Sequence, residues 1–151
     1  MAGYEVGLEE VINNIRSLSE KKKGQLVEAA GMIGSTLLIA TRENAGLTDL
    51  SQEDLNELDN PYSTRLNKNS APTPDYQVHI QTGLLYENIE QDIMVTPERI
   101  RITVGVDENT VPYIADLIMG TSKMRPRDFL TETLIQQKNA VRSIIKAEVG
   151  V

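Results

Sequence analysis

Few side chains in this sequence have types that do chemistry, and their spacing limits what they can do. A nucleophile–base pair needs a base that titrates near neutrality, and the only histidine is His79. It sits in Gln77-Val78-His79-Ile80-Gln81, alternating with apolar neighbours, a pattern that predicts the polar face of a strand. There is no cysteine to partner it and no Gly-x-Ser-x-Gly elbow. The acidic pairs Glu9-Glu10, Glu53-Asp54 and Asp107-Glu108 lack the spacing of a calcium loop, and His-Glu-x-x-His is absent. The glycines of Gly31-Met32-Ile33-Gly34-Ser35-Thr36 come without the lysine that would reach a phosphate. These residues predict no catalytic, cofactor-binding or metal-binding site, and a protein that is not an enzyme.

One stretch stands out. An apolar pattern from Val111 stops at Gly120-Thr121, a basic loop follows with Lys123, Arg125 and Arg127, and Phe129, the only phenylalanine, opens the next apolar run. As a nucleic-acid contact the 123–127 loop is thin, with three charges, no interleaved aromatics, and Asp128 and Glu132 close by. As a protein contact it is better furnished, because Met, Phe and Arg are enriched in interface cores. Gly120, Thr121, Met124, Arg125, Pro126 and Phe129 are therefore the candidate assembly contacts. In this reading Gly120 ends a helix so that Thr121 to Arg125 projects, with Pro126 and Phe129 fixing the loop's base.

The elements that must position this stretch follow from pattern. A chain of 151 residues predicts a single domain, 1–151, large enough to bury roughly 70% of its unfolded surface. Without cysteines no disulfide or thiolate metal site is available. Net charge is −7, which argues against a protein whose main task is gripping phosphate backbone. The start, MAGYEVGLEE, has no basic or apolar leader region and predicts no signal peptide, and the apolar stretch at 31–40 is too short to span a bilayer.

Leu8, Val11, Ile12, Ile15 and Leu18 form one helical stripe, which Ser19 to Gly24 interrupts. The pattern resumes at Leu26, Ala30, Ile33, Leu37 and Thr41 and breaks at Gly46. The small residues Ala30, Gly31, Gly34 and Ser35 imply close packing against that second helix, since each mid-helix glycine costs about 1 kcal/mol relative to alanine. Residues 45–76 are polar and broken by proline, with a helix start at Ser51 to Asp54, and read as an extended loop or arm that a neighbour orders. Its candidate contact residues are Pro61, Tyr62 and Arg65.

From Gln77 the period becomes two. Ile93 and Val95, then Ile100, Ile102, Val104 and Val106, predict a hairpin. Proline cannot supply the positive φ of a two-residue turn, so Thr96-Pro97-Glu98-Arg99 is the loop, which sets Val95 opposite Ile100 and Ile93 opposite Ile102. A short helix over 111–119 and a last helix with Leu130, Leu134, Val141, Ile144 and Ile145 on its apolar face complete the chain. The fold class is α+β: a small antiparallel sheet packed against N-terminal and C-terminal helices, with a long internal loop.

The order of these features resembles the tail-completion, or head–tail joining (neck), proteins of tailed bacteriophages. The resemblance is carried by PYSTR at 61–65, VHIQTGLL at 78–85, the alternating hairpin, VPYIADLIMGTSKM at 111–124 and PRDFL at 126–130. It implies a structural virion protein, assembled in the host cytoplasm, that forms a ring at the head–tail junction, sixfold or twelvefold with sixfold favoured. The implied partners are other copies of the chain, a portal-proximal adaptor, and a tail terminator or tail tube protein. Genomic DNA would pass through the lumen without sequence-specific binding; no membrane and no cofactor are implied. An acidic lumen would repel DNA and let it slide. Two rival readings belong to other classes: a cytosolic small-molecule enzyme or regulator with its site in the 61–82 loop, and a nucleic-acid module using 123–127 with Arg99 and Arg101.

Overall fold

The computed structural model describes residues 4–7, 20–47, 53, 76–80, 82–122 and 124–150. The helical stripe from Leu8 to Leu18, the helix start at Ser51 to Asp54 (except Glu53), and Pro61, Tyr62, Arg65 and Lys123 lie outside the described residues. The chain is α+β. Its elements run β1 (Tyr4–Gly7), α1 (Glu20–Asn44), α2 (Leu84–Glu87), β2 (Ile89–Val95), β3 (Ile100–Val106), α3 (Ile114–Met119) and α4 (Phe129–Val149).

The hairpin register is the one that period and loop length predict. Ile93 pairs with Ile102 and Val95 with Ile100. The Thr96 N–H donates to the Arg99 carbonyl at 2.8 Å and closes the four-residue loop. This register puts Ile100, Ile102, Val104 and Val106 on one face, all buried. The strand order is β1-β3-β2, fully antiparallel, with Tyr4 opposite Val106 and Gly7 opposite Thr103. The first strand is an addition to the expected hairpin. Four residues are too few for a periodic signal, and their pairing partner lies some hundred positions away in sequence.

Helices α1 and α4 pack against each other, and α1 lies on β2 and β3. The expected face of α1 is buried: Leu26, Ala30, Ile33, Leu37 and Thr41. Its start differs from expectation, because the helix begins at Glu20 and runs through the lysines and Gly24. Lysine is a good helix former, Lys23 pairs with Glu20 at 3.3 Å, and the Lys22 ammonium donates to the Val149 carbonyl at the far end of α4. That contact and the Asn44–Thr133 bond at 2.8 Å make the two helices antiparallel. The close approach inferred from small residues is real at Gly34, where a Cβ would overlap the Gln91 side chain and sit 3.4 Å from Ile93. At Gly31 nothing lies within 4 Å of an added Cβ.

The short helix spans only Ile114–Met119, since Val111 to Tyr113 belong to the preceding turn. The Asp107 carboxylate accepts from the Asn109 N–H at 2.9 Å, and the Thr110 and Val111 N–H groups donate to the Asp107 carbonyl. These bonds set a turn that competes with helix. In α4, Asp128 caps the N-terminus by accepting from the Thr131 N–H at 3.0 Å. Leu130 and Val141 are buried, and Leu134, Ile144 and Ile145 pack against the core.

Candidate assembly surface

The loop after α3 is built around Gly120. Its N–H donates to the Asp116 carbonyl at 2.8 Å and ends the helix, while φ 74° and ψ 172° place it in a region open only to glycine. A Cβ there would lie 2.7 Å from the Pro126 nitrogen and 2.9 Å from the Met124 carbonyl oxygen. The loop therefore folds back over Gly120 rather than standing away from it. The Thr121 N–H donates to the Met124 carbonyl at 2.9 Å, and the Met124 N–H meets the Thr121 hydroxyl at 3.1 Å. Thr121, Ser122 and Pro126 are exposed, whereas Met124 and Arg125 are half-buried and Met124 packs against the core.

The two residues that close this stretch both turn inward. Phe129 is fully buried as the first residue of α4 and fixes the loop's base, the place expected of it, which leaves no exposed side chain for the assembly contact also expected of it. Arg127 is also fully buried. Its N–H donates to the Leu117 carbonyl at 2.7 Å, which draws the chain against the open end of α3 and turns the side chain inward. Its guanidinium then donates to the Gln77 carbonyl at 3.2 Å. One of the three charges of the basic loop is thus withdrawn from solvent, which weakens that loop as a phosphate contact.

Arg127 belongs to a polar clamp that periodicity does not reveal. Asn44, at the end of α1, donates from its amide to the Thr133 hydroxyl at 2.8 Å and to the Gln136 oxygen at 3.3 Å, and accepts from the Gln77 amide at 3.3 Å. The Asn44 carbonyl accepts the Val78 N–H at 2.8 Å. Beyond it, Leu47 and His79 form a parallel bridge, with Leu47 N–H to Val78 carbonyl and Ile80 N–H to Leu47 carbonyl both at 2.9 Å. His79 is consequently buried, at 4% exposure, and is not on the polar face of a strand. The clamp places residues 45–47 of the expected arm in the folded body; of the remainder, 48–75, only Glu53 is among the described residues.

Exposed apolar side chains mark surfaces that the sequence reading passed over. Met32 and Ile39 on α1 are 49% and 60% exposed, and Met94 on β2 is 46% exposed. Met119, at the end of α3, and Ile135 on α4 are also exposed. Tyr113 is partly exposed; burial raises its pKa, and a backbone hydrogen bond with Leu85 of α2 partly offsets that. Over Tyr86 lies the Arg42 guanidinium, 6.0 Å from the ring centroid, while also donating to the Ile89 carbonyl at 2.9 Å.

Among the described residues no group of three or more His, Cys, Asp or Glu is placed to hold a metal, and no helix is long and apolar enough to cross a membrane. A narrow cleft between α1 and α4 over β3 is lined by Leu37, Thr41, Val104, Leu130, Thr133 and Leu134. Both threonine hydroxyls in it are committed to their own helices, to the Leu37 and Phe129 carbonyls. No family model, curated protein or solved structure matches the chain.

Proposed function

We propose that the protein is a structural virion subunit that assembles head to tail into a ring at the head–tail junction, between a portal-proximal adaptor and a tail terminator or tube. The observation that carries this reading is the placement of its exposed apolar residues. Gly34 faces Gln91 and Ile93, so α1 covers that face of β2, and strand alternation turns Glu90, Asp92 and Met94 to the opposite face. Met32 and Ile39 lie about 160° and 140° around α1 from Gly34, on the side away from the sheet. Apolar side chains are thus exposed on the outer side of α1 and, at Met94, on the opposite face of β2. Different patches that meet head to tail generate rings when the rotation closes.

The order of motifs, TGLL, hairpin, GTSKM and PRDFL, supports assignment of the ring to the neck of a tailed phage. Net charge −7 supports a lumen through which DNA slides.

The test uses the two surfaces separately. Met32→Glu with Ile39→Glu, and Met94→Glu in a second protein, should each leave a folded monomer that forms no ring. Loss of a central apolar anchor costs about 2 kcal/mol or more per contact, roughly thirtyfold in affinity. Mixed together, the two variants should yield dimers and nothing larger, because each retains one intact surface. In phage that carry either variant, filled heads and finished tails should accumulate unjoined. An unsubstituted chain that stays monomeric at all concentrations, or normal virions from both variants, would exclude the reading.

A further inference from the structure

Helix α4 carries a basic ridge on its solvent side. Ile135, Lys138, Arg142 and Lys146 follow one another at i, i+3, i+7 and i+11, so they share one face of the helix. All four are exposed, Ile135 at 59%. Residues 133–147 include no Asp or Glu, although the net charge of the chain is −7. Among the described residues, none of the three cations has an ion-pair partner.

A second strip carries the opposite charge. Glu90, Asp92 and Met94 are exposed on the face of β2 turned away from Gly34 of α1. On that face Gly105 and Thr103 of β3, which pair with Glu90 and Asp92, are buried, so the open ground is one strand wide along the sheet edge. Arg101, opposite Met94, is half-buried, whereas both carboxylates are exposed. Neither carboxylate has an ion-pair partner among the described residues.

Ridge and strip are spaced alike. From Ile135, Lys138 and Arg142 lie about 4.5 and 10.5 Å along the helix axis. From Met94, Asp92 and Glu90 lie about 7 and 13 Å along the strand. With Ile135 on Met94 and the helix antiparallel to the strand, Lys138 meets Asp92, and Arg142 and Lys146 bracket Glu90. The offsets of about 2–3 Å are within the swing of these long side chains. Two ridges face to face, or two strips, would set like charges together, so the charges select ridge on strip over a two-fold contact. The Asn44–Thr133 and Lys22–Val149 bonds also bring Ile135 within about one turn of the level of Ile39 on α1, which joins the ridge to the apolar surface already described.

We propose that the basic ridge of α4 docks on the acidic β2 strip of the next copy, with Ile135 on Met94, Lys138 on Asp92 and Arg142 on Glu90. The inference rests on the head-to-tail ring proposed above and supplies its polar contacts and their register.

The chain has no cysteine, so one introduced pair reports the contact. Ile135→Cys in one copy and Met94→Cys in a second that carries a size tag should give a disulfide-linked heterodimer under mild oxidation. Arg142→Glu should raise the concentration needed for assembly several-fold, and Glu90→Arg in the same chain should restore it, because the pair is then reversed and no longer repels. Lys138→Glu with Asp92→Lys is an independent exchange. All four charged side chains are exposed, so the monomer's Tm should move little in each variant. Heterodimers and charge rescue without closed rings would uphold the contact while sinking the ring. Rings that form without linking and ignore both exchanges would overturn the contact and leave the ring standing. Duplex DNA binding that Arg142→Glu abolishes, with assembly unchanged, would assign the ridge to phosphate and also overturn the proposal. A chain that neither links nor assembles at any concentration would sink both.

Discussion

Gly120 combines φ 74° with ψ 172°, and Pro126 and Met124 crowd the place where a Cβ would stand. Gly31 has ordinary helical backbone and open space around it. The same substitution should therefore have opposite signs at the two positions. Gly31→Ala should stabilise the protein by about 0.5–1 kcal/mol, the difference in helix propensity. Gly120→Ala should destabilise it by about 2 kcal/mol or more, because a conformation forbidden to alanine and a steric overlap add. Urea unfolding of the two variants checks this pair. Equal shifts would mean that the loop after α3 relaxes freely and that its geometry matters little.

At the scale of elements, the clamp at the end of α1 holds three pieces that have no covalent reason to meet: α1, the 76–80 segment and α4. Asn44 serves all three through its amide and its carbonyl. Asn44→Ala removes one partner from each bond and leaves buried polar groups behind, a change that costs about 1–3 kcal/mol. His79→Ala belongs to the same element. A residue on the solvated face of a strand would tolerate that change within about 0.5 kcal/mol, but at 4% exposure it should cost about 1–3 kcal/mol. Both losses should appear in thermal or urea unfolding of the monomer. A surface-like value at His79 would restore the expectation drawn from alternation alone.

At the scale of the whole molecule, the Leu47–His79 bridge and the Asn44–Val78 bond join the chain on either side of residues 48–75. Closing a loop of this length at its base costs little more than closing a shorter one, since the entropy grows only logarithmically with length. The arm can therefore be long without loosening the body. Hydrogen exchange followed on free monomer and on assembled rings should gain most protection in residues 48–75 and in β2, with little change in the buried parts of α1 and α4. Equal protection of the arm before and after assembly would remove its role as a contact.

The sequence by itself determined the local grammar. The four-residue loop at Thr96 to Arg99 and the alternation on either side imposed the β2–β3 register, because a slip of one residue would turn every apolar side chain outward. Gly120 announced its helix stop, and Phe129 opened the apolar run that became α4. Only the tertiary structure decided the rest. β1 exists because β3 offers it an edge, a pairing of four residues with no local signal. Arg127 read as part of a basic surface loop, yet it is buried, since a chain returning over Gly120 to bond Leu117 must carry it inward. His79 followed a strand's alternation, but its segment forms an isolated bridge with Leu47 and hydrogen-bonds the end of α1 and Gln136 of α4. Periodicity reports which side of an element is apolar; which neighbours arrive to cover either side is a long-range fact, set by the packing of the whole chain.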